Sequence, residues 1–258
     1  MSDKADAILA IRLIDLTSLN DADTEQDIRA LAARAETPWA RVAALCVFPR
    51  FVSVARDALR PLQGSVAVAT VANFPQGDAR SAEAAREVAA AVRAGADEVD
   101  VVFPWRALLD GDGQIGLELV TRCREAAGDR VLKVIIESGC LGTSAMIERA
   151  SELAIRGGAD FLKTSTGKVQ VNATLAAAET MLGVIRERGR SVGFKASGGV
   201  RTLADAQSYL ELARRMMGEQ WLVPANFRFG ASGLLQDLLR SAGDEDRMAP
   251  ARADRLDQ

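Results

Sequence analysis

Two lysines close short apolar runs, Lys163 in Phe161-Leu162-Lys163 and Lys195 in Gly193-Phe194-Lys195, while Glu98 and Asp100 alternate with Val99 and Val101 in a third. Side chains on a strand alternate faces, so if the apolar ones turn outward to covering helices, the charged ones turn inward together. The same phase sends Lys133 inward between Leu132 and Val134, with Glu137 following Ile136, and adds Asp15 from the first run. Six ionisable groups are then expected to converge: Asp15, Asp100 and Glu137 against Lys133, Lys163 and Lys195. Such a balanced set could be a structural ion network, because an unpaired buried charge is costly. Position favours chemistry instead. Asp100, Lys163 and Lys195 fall near the C-terminal ends of their strands, and a core serving only packing would favour Val, Ile and Leu.

What two close lysines can do follows from their basicity. An amine is nucleophilic only when neutral, and at the ordinary lysine pKa about one in a thousand is neutral near pH 7. Desolvation and a neighbouring cation can supply the missing shift of roughly 3 to 4 units, or about 4 to 5 kcal/mol. One lysine can therefore activate the other for imine formation with an aldehyde or ketone. The cationic imine nitrogen is an electron sink, so an adjacent carbon-carbon bond can break or form through an enamine. Asp100 is the best carboxylate for the proton steps, with Lys195 as its charge partner. Position alone separates the lysines weakly: Lys163 leads into the polar loop Thr164-Ser165-Thr166-Gly167-Lys168, and Lys195 into Ala196-Ser197-Gly198-Gly199.

Composition narrows the chemistry further. The chain of 258 residues contains no histidine, which removes Ser-His-Asp and Cys-His catalysis and His-ligated metal hydrolysis. Its three cysteines, Cys46, Cys123 and Cys140, form no CxxC and read as reduced thiols, so no metal and no cofactor is expected. With 32 Lys and Arg against 35 Asp and Glu, the net charge is -3, and no basic stripe marks nucleic-acid binding. No apolar run of about 18 residues suits a membrane span, and MSDKADAILA has no secretory signal pattern. A cytoplasmic protein without nucleic-acid or membrane partners is expected.

The elements that must position these groups appear as eight short runs at 13–16, 42–47, 65–71, 98–102, 131–136, 160–163, 192–195 and 227–230. Helical periodicity lies between them, at 79–94, 116–127, 144–156, 173–188 and 203–217, with stops at Gly95, Gly128, Gly157, Gly158, Gly189 and Gly218. Eight strand-helix units predict a closed (β/α)8 TIM barrel in a single domain over 1–242, with an N-terminal helical segment. An open doubly wound sheet would need a GxGxxG turn after its first strand, and none is there. The charged, aperiodic stretch 243–258 reads as a mobile tail.

The turns at Gly198, Gly199 and at Gly230-Ala231-Ser232-Gly233 each open a helix, and backbone amides there suit a phosphate. Barrels of this type often bind phosphate after strands 7 and 8. Gly167 and Lys168 could supply a third side and a cation. Tight βα turns alone would also explain these glycines, less readily when three loops agree.

The segments LIDLTSLN, LCVFPRF, VANFPQG, GADEVDVVFPWRALL, KVIIESGCL, GADFLKTSTGKVQVNAT, VGFKASGGVRT and RFGASGLL resemble those of the 2-deoxyribose-5-phosphate aldolases, a class I aldolase family, along nearly the whole chain. The resemblance implies that Lys163 forms the Schiff base, that Lys195 perturbs it and that Asp100 shares in proton transfer. It implies reversible cleavage of 2-deoxy-D-ribose 5-phosphate to acetaldehyde and D-glyceraldehyde 3-phosphate, small phosphosugar and aldehyde partners, and a homodimer as in many relatives. Two departures stand out. The phosphate turn has Ser232 without a second serine, and the chain ends in Gln258 where some relatives have a tyrosine, leaving only Tyr209. Asp15, Lys133 and Glu137 are expected to support the site, and Cys46 to lie near it or simply in the core. Rival readings are another phosphosugar barrel, such as an isomerase using its lysines as electrostatic clamps, and a catalytically silent phosphate binder.

Overall fold

The computed structural model describes residues 2–188 and 192–243, and eight parallel strands close a barrel in chain order. They are β1 (Ile14–Ser18), β2 (Ala44–Val47), β3 (Ala67–Ala72), β4 (Glu98–Val102), β5 (Val131–Ile135), β6 (Phe161–Lys163), β7 (Gly193–Ser197) and β8 (Phe227–Ala231). Each coincides with one of the eight expected runs to within a few residues. The expected N-terminal segment is the helix Asp3–Arg12, capped by the Ser2 hydroxyl. Residues 244–258, the bulk of the expected tail, and Gly189 lie outside the described residues. No helix among the described residues is long and apolar enough to cross a membrane.

The outward strand residues make the barrel's adhesive surface. Val99, Val101, Leu132, Val134, Leu162, Phe194, Phe227 and Phe229 are all 0% exposed and join the apolar helix faces in one core. Burying each such side chain contributes about 1.5–3 kcal/mol, which fixes the phase of every strand and leaves their other residues facing inward. At β2 and β3 that inner face is small and apolar, with Ala44, Cys46, Ala69 and Val71 forming a separate cluster with Leu19. In an eight-strand barrel these strands stand across from β6 and β7, which carry the two lysines.

Helices return the chain between strands, and several start where a side chain caps them. Asp112 caps Gly113–Ala127, Thr143 caps Ser144–Arg156, Thr174 caps Leu175–Glu187, and Thr202 forms a capping box with Asp205 on Leu203–Met217. Glu25–Ala33 and Val52–Leu59, and the short Trp105–Leu109 and Ser138–Leu141, were not among the expected helices. At the N-terminal end of the barrel, acidic residues tie strands together. Asp160 accepts from the Leu132 amide at 2.7 Å while pairing with Arg124 at 2.5 Å, and Asp97 accepts from the Val68 amide at 2.9 Å while pairing with Arg56 at 2.8 Å.

Candidate active site

Register explains why the inward charges meet. Lys163 and Lys195 are direct partners on β6 and β7, Asp100 and Lys133 on β4 and β5, and Lys195 and Arg228 on β7 and β8. One carboxylate sits at the centre: Asp100 Oδ2 accepts from Lys163 Nζ at 2.9 Å and from Lys195 Nζ at 2.8 Å, while Oδ1 accepts from Lys133 Nζ at 2.8 Å. Lys195 Nζ also donates to Asp15 Oδ2 at 2.5 Å. Asp15, Asp100, Lys133 and Lys195 have no solvent exposure, and Lys163 has 2%.

Burial and neighbours push the two lysines in opposite directions. Burial lowers the Lys163 pKa, and although Asp100 opposes this, the charge on Lys195 works with burial, so the amine is less basic than usual. Burial would lower Lys195 as well, but Asp100 and Asp15 together outweigh it and hold that ammonium protonated. Burial also disfavours the Asp100 carboxylate, yet Lys133, Lys163 and Lys195 overcome it and hold its pKa well below the ordinary range. The two sites thus differ in how many acids they meet. Among the described residues Lys163 pairs with one carboxylate, whereas Lys195 pairs with two.

The set differs from the sequence expectation at three residues. Glu98 belongs to it, contacting Lys133 Nζ at 2.5 Å, and so does Arg228, whose Nη1 reaches Asp15 Oδ1 at 2.5 Å and whose Nη2 reaches Glu98 Oε1 at 2.8 Å. Glu137 does not. Strand β5 ends at Ile135, and Glu137 adopts φ 55, so the inward alternation no longer applies. Its Oε1 accepts from the Thr166 amide at 3.1 Å, and its Oε2 has no hydrogen-bond partner among the described residues. Burial raises its pKa, against the opposing effect of Thr166. Lys133, expected to support the site, bonds Asp100 directly. Cys46 faces the barrel interior in the small apolar cluster, and burial raises its thiol pKa despite Lys195.

The loops expected to hold an anion converge. A cavity of about 440 Å³ at the C-terminal mouth is lined by Gly167, Lys168, Gly198, Gly199, Gly230 and Ser232, together with Thr17, Asn20, Thr166, Asn172, Ser197 and Arg201. Thr166 and Ser197, in the loops that follow Lys163 and Lys195, bring the cavity wall next to the strands that carry the lysine pair. Gly198 has φ 83, and a Cβ there would come within 2.7 Å of Asn172, so only glycine suits the turn. Lys168 bridges from this loop to the Leu19 carbonyl at 2.7 Å. Arg201 and Asn20 received no role from the sequence; Arg201 lay next to the GG turn, and Asn20 gave no signal. Tyr209 stays in the outer layer, packing edge-on against Phe229 at 6.5 Å. Among the described residues no group of three or more Cys, Asp or Glu is placed to hold a metal ion.

Comparison with known proteins gives one consistent picture. Residues 9–237 match the family model described as DeoC/LacD family aldolase. A candidate deoxyribose-phosphate aldolase of Toxoplasma gondii ME49 superposes with a TM-score of 0.86 at 26% identity, over 95% of this chain and 99% of that one. One from Coccidioides immitis gives 0.78 at 30% identity, over 91% and 86%. The deoxyribose phosphate aldolase of Aeropyrum pernix, described as a unique tetramer, gives 0.73 at 25% identity, over 93% and 96%.

Proposed function

The chain belongs to the DeoC/LacD family of aldolases, and from that premise we propose that it reversibly cleaves 2-deoxy-D-ribose 5-phosphate to acetaldehyde and D-glyceraldehyde 3-phosphate through a Schiff base on Lys163. The phosphate is held by the backbone amides of the Gly198, Gly199 and Gly230-Ala231-Ser232-Gly233 turns, with Lys168 as a nearby cation. The neutral Lys163 amine attacks C1 of the open-chain aldehyde, and loss of water leaves a cationic imine. Asp100, directly or through a water, takes the proton of the C3 hydroxyl as the C2–C3 bond breaks. The bonding pair moves onto C2 to form the enamine, and C3 leaves as the aldehyde of D-glyceraldehyde 3-phosphate. Protonation at C2, with Lys195 and Asp100 as the proton source, and hydrolysis of the imine release acetaldehyde and restore the amine. The imine nitrogen serves as the electron sink, so the sequence of steps requires no metal.

The observation that carries this reading is the shared carboxylate oxygen: Asp100 Oδ2 lies 2.9 Å from Lys163 Nζ and 2.8 Å from Lys195 Nζ. That arrangement keeps a cation beside the less paired amine and places a proton acceptor within reach of both. Borohydride reduction in the presence of acetaldehyde tests it. A stable ethyl adduct is expected on Lys163 and none on Lys163→Ala. An adduct of equal amount on another lysine in both proteins would refute the assignment, and binding of D-glyceraldehyde 3-phosphate without any adduct would favour a silent binder.

A further inference from the structure

The inward charges of the barrel do not balance. Among the described residues, those that ion-pair with one another inside the barrel are Asp15, Glu98 and Asp100 with Lys133, Lys163, Lys195 and Arg228, three acids against four bases, and all seven are buried. If every base were protonated, the barrel interior would hold one uncompensated positive charge, which a low-dielectric site strongly resists. One proton must leave at moderate cost, and a guanidinium does not give it up. Arg228 is moreover locked in place: Nη1 meets Asp15 Oδ1 at 2.5 Å, Nη2 meets Glu98 Oε1 at 2.8 Å, and Nε donates to the Pro224 carbonyl at 2.5 Å.

The choice among the three lysines follows from their partners. Lys133 touches Glu98 at 2.5 Å and Asp100 at 2.8 Å, with Asp15 at 3.6 Å, and Lys195 touches Asp15 at 2.5 Å and Asp100 at 2.8 Å. Among the described residues Lys163 touches one carboxylate, Asp100, at 2.9 Å, on an oxygen that Lys195 also occupies. Discharging Lys163 therefore loses the least. We propose that Arg228 is a positioning residue that sets the protonation of the reactive amine: it is the fourth base, and by occupying Asp15 and Glu98 it makes Lys163 the surplus cation of the barrel interior. The two residues need no contact. Arg228 acts through Asp15 on Lys195 and through Glu98 on Lys133, and both lysines then claim Asp100.

The groups around Lys163 are those just named, with Cys46 facing it from β2 and Glu137 from the segment after β5. Burial raises the thiol's pKa despite Lys195, and among the described residues Glu137 accepts from the Thr166 amide and forms no ion pair with any of the four bases, so neither enters the paired set. The Lys163 pKa is lowered and the Arg228 pKa raised, in keeping with the count.

This inference rests on Lys163 being the Schiff-base lysine, and its test keeps the two claims apart. The rate of acetaldehyde trapping by borohydride is followed against pH in the intact protein, and the adduct is mapped in each variant. Arg228→Gln leaves three acids against three lysines, so the midpoint for Lys163 trapping should rise by about one pH unit or more, roughly a tenfold loss of neutral amine near neutrality. Arg228→Lys, which keeps a cation, should hold the parent midpoint. Glu98→Gln removes an acid and should lower the midpoint, giving a result of opposite sign should Arg228→Gln fail to fold. Adducts on Lys163 with unmoved midpoints in Arg228→Gln, or in Glu98→Gln where the former does not fold, would overturn the role of Arg228 and leave the Schiff base standing. Adducts on another lysine would overturn the reading beneath it.

Discussion

An ammonium gives up its proton inside a protein only where the surroundings make its charge costlier than in water. Lys163 meets that condition through burial, a single carboxylate partner and a cationic neighbour, while Lys195, at the adjacent register position, escapes it by holding two carboxylates. Asp100→Asn should therefore still allow some Lys163 adduct but slow cleavage by about 10²–10⁴-fold, the usual contribution of a positioned general base; a loss under tenfold in kcat would remove Asp100 from the proton steps. At this scale the sequence was legible wherever strand alternation held. Asp15, Asp100, Lys133, Lys163 and Lys195 all followed their apolar neighbours' phase. Alternation also turns Glu98 inward, and Arg228, flanked by the outward Phe227 and Phe229, carries an equal signal. Glu137, beyond the end of β5, bonds the Thr166 amide and none of the bases, because alternation does not show where a strand stops.

The elements place these residues through close backbone approach. Gly230 on β8 leaves no room for a side chain: a Cβ would lie 2.9 Å from Lys195 Cε and 2.5 Å from Ser197 Oγ. Gly230→Ala should displace Lys195 and reduce kcat with the fold intact, and unchanged kcat would show that the lysine tolerates the shift. Lys168→Met should raise KM for phosphorylated substrate more than it lowers kcat, because the loop presents its charge to the cavity and not to the amine; an equal loss in both would tie it to the chemistry. At the opposite end, Asp160→Ala removes an acceptor for the Leu132 amide and the Arg124 pair, so it should lower stability by about 1–3 kcal/mol without altering kcat. The strands and the five main connecting helices could be read from apolar periodicity. Glu25–Ala33 could not, since it buries only Ile28, Leu31 and Ala32, and its one clear mark was the capping box between Thr24 and Asp27. Val52–Leu59 follows the turn Pro49–Phe51 without a side-chain cap.

Over the whole molecule, the charged interior makes stability depend on pH. Burial opposes ionisation of Asp15 and Asp100, but the surrounding bases prevail and both pKa values lie below their unfolded level of about 3.9. A depressed carboxylate stabilises the folded state above its unfolded pKa, and that stability is lost as pH falls towards the folded pKa. The thermal midpoint should hold near neutrality and decline below about pH 4–5, with a shallower acid decline in Asp15→Asn; a parent profile flat to pH 3 would contradict the network. The same interior makes one amine neutral beside another that stays charged, and on this the proposed chemistry depends. Nitrogen-15 NMR titration of the lysine side chains, with Lys163→Arg and Lys195→Arg for assignment, measures it most directly. Lys163 should release its proton well below the ordinary lysine range while Lys195 keeps its own, and two amines that both remain protonated up to strongly alkaline pH would contradict the account.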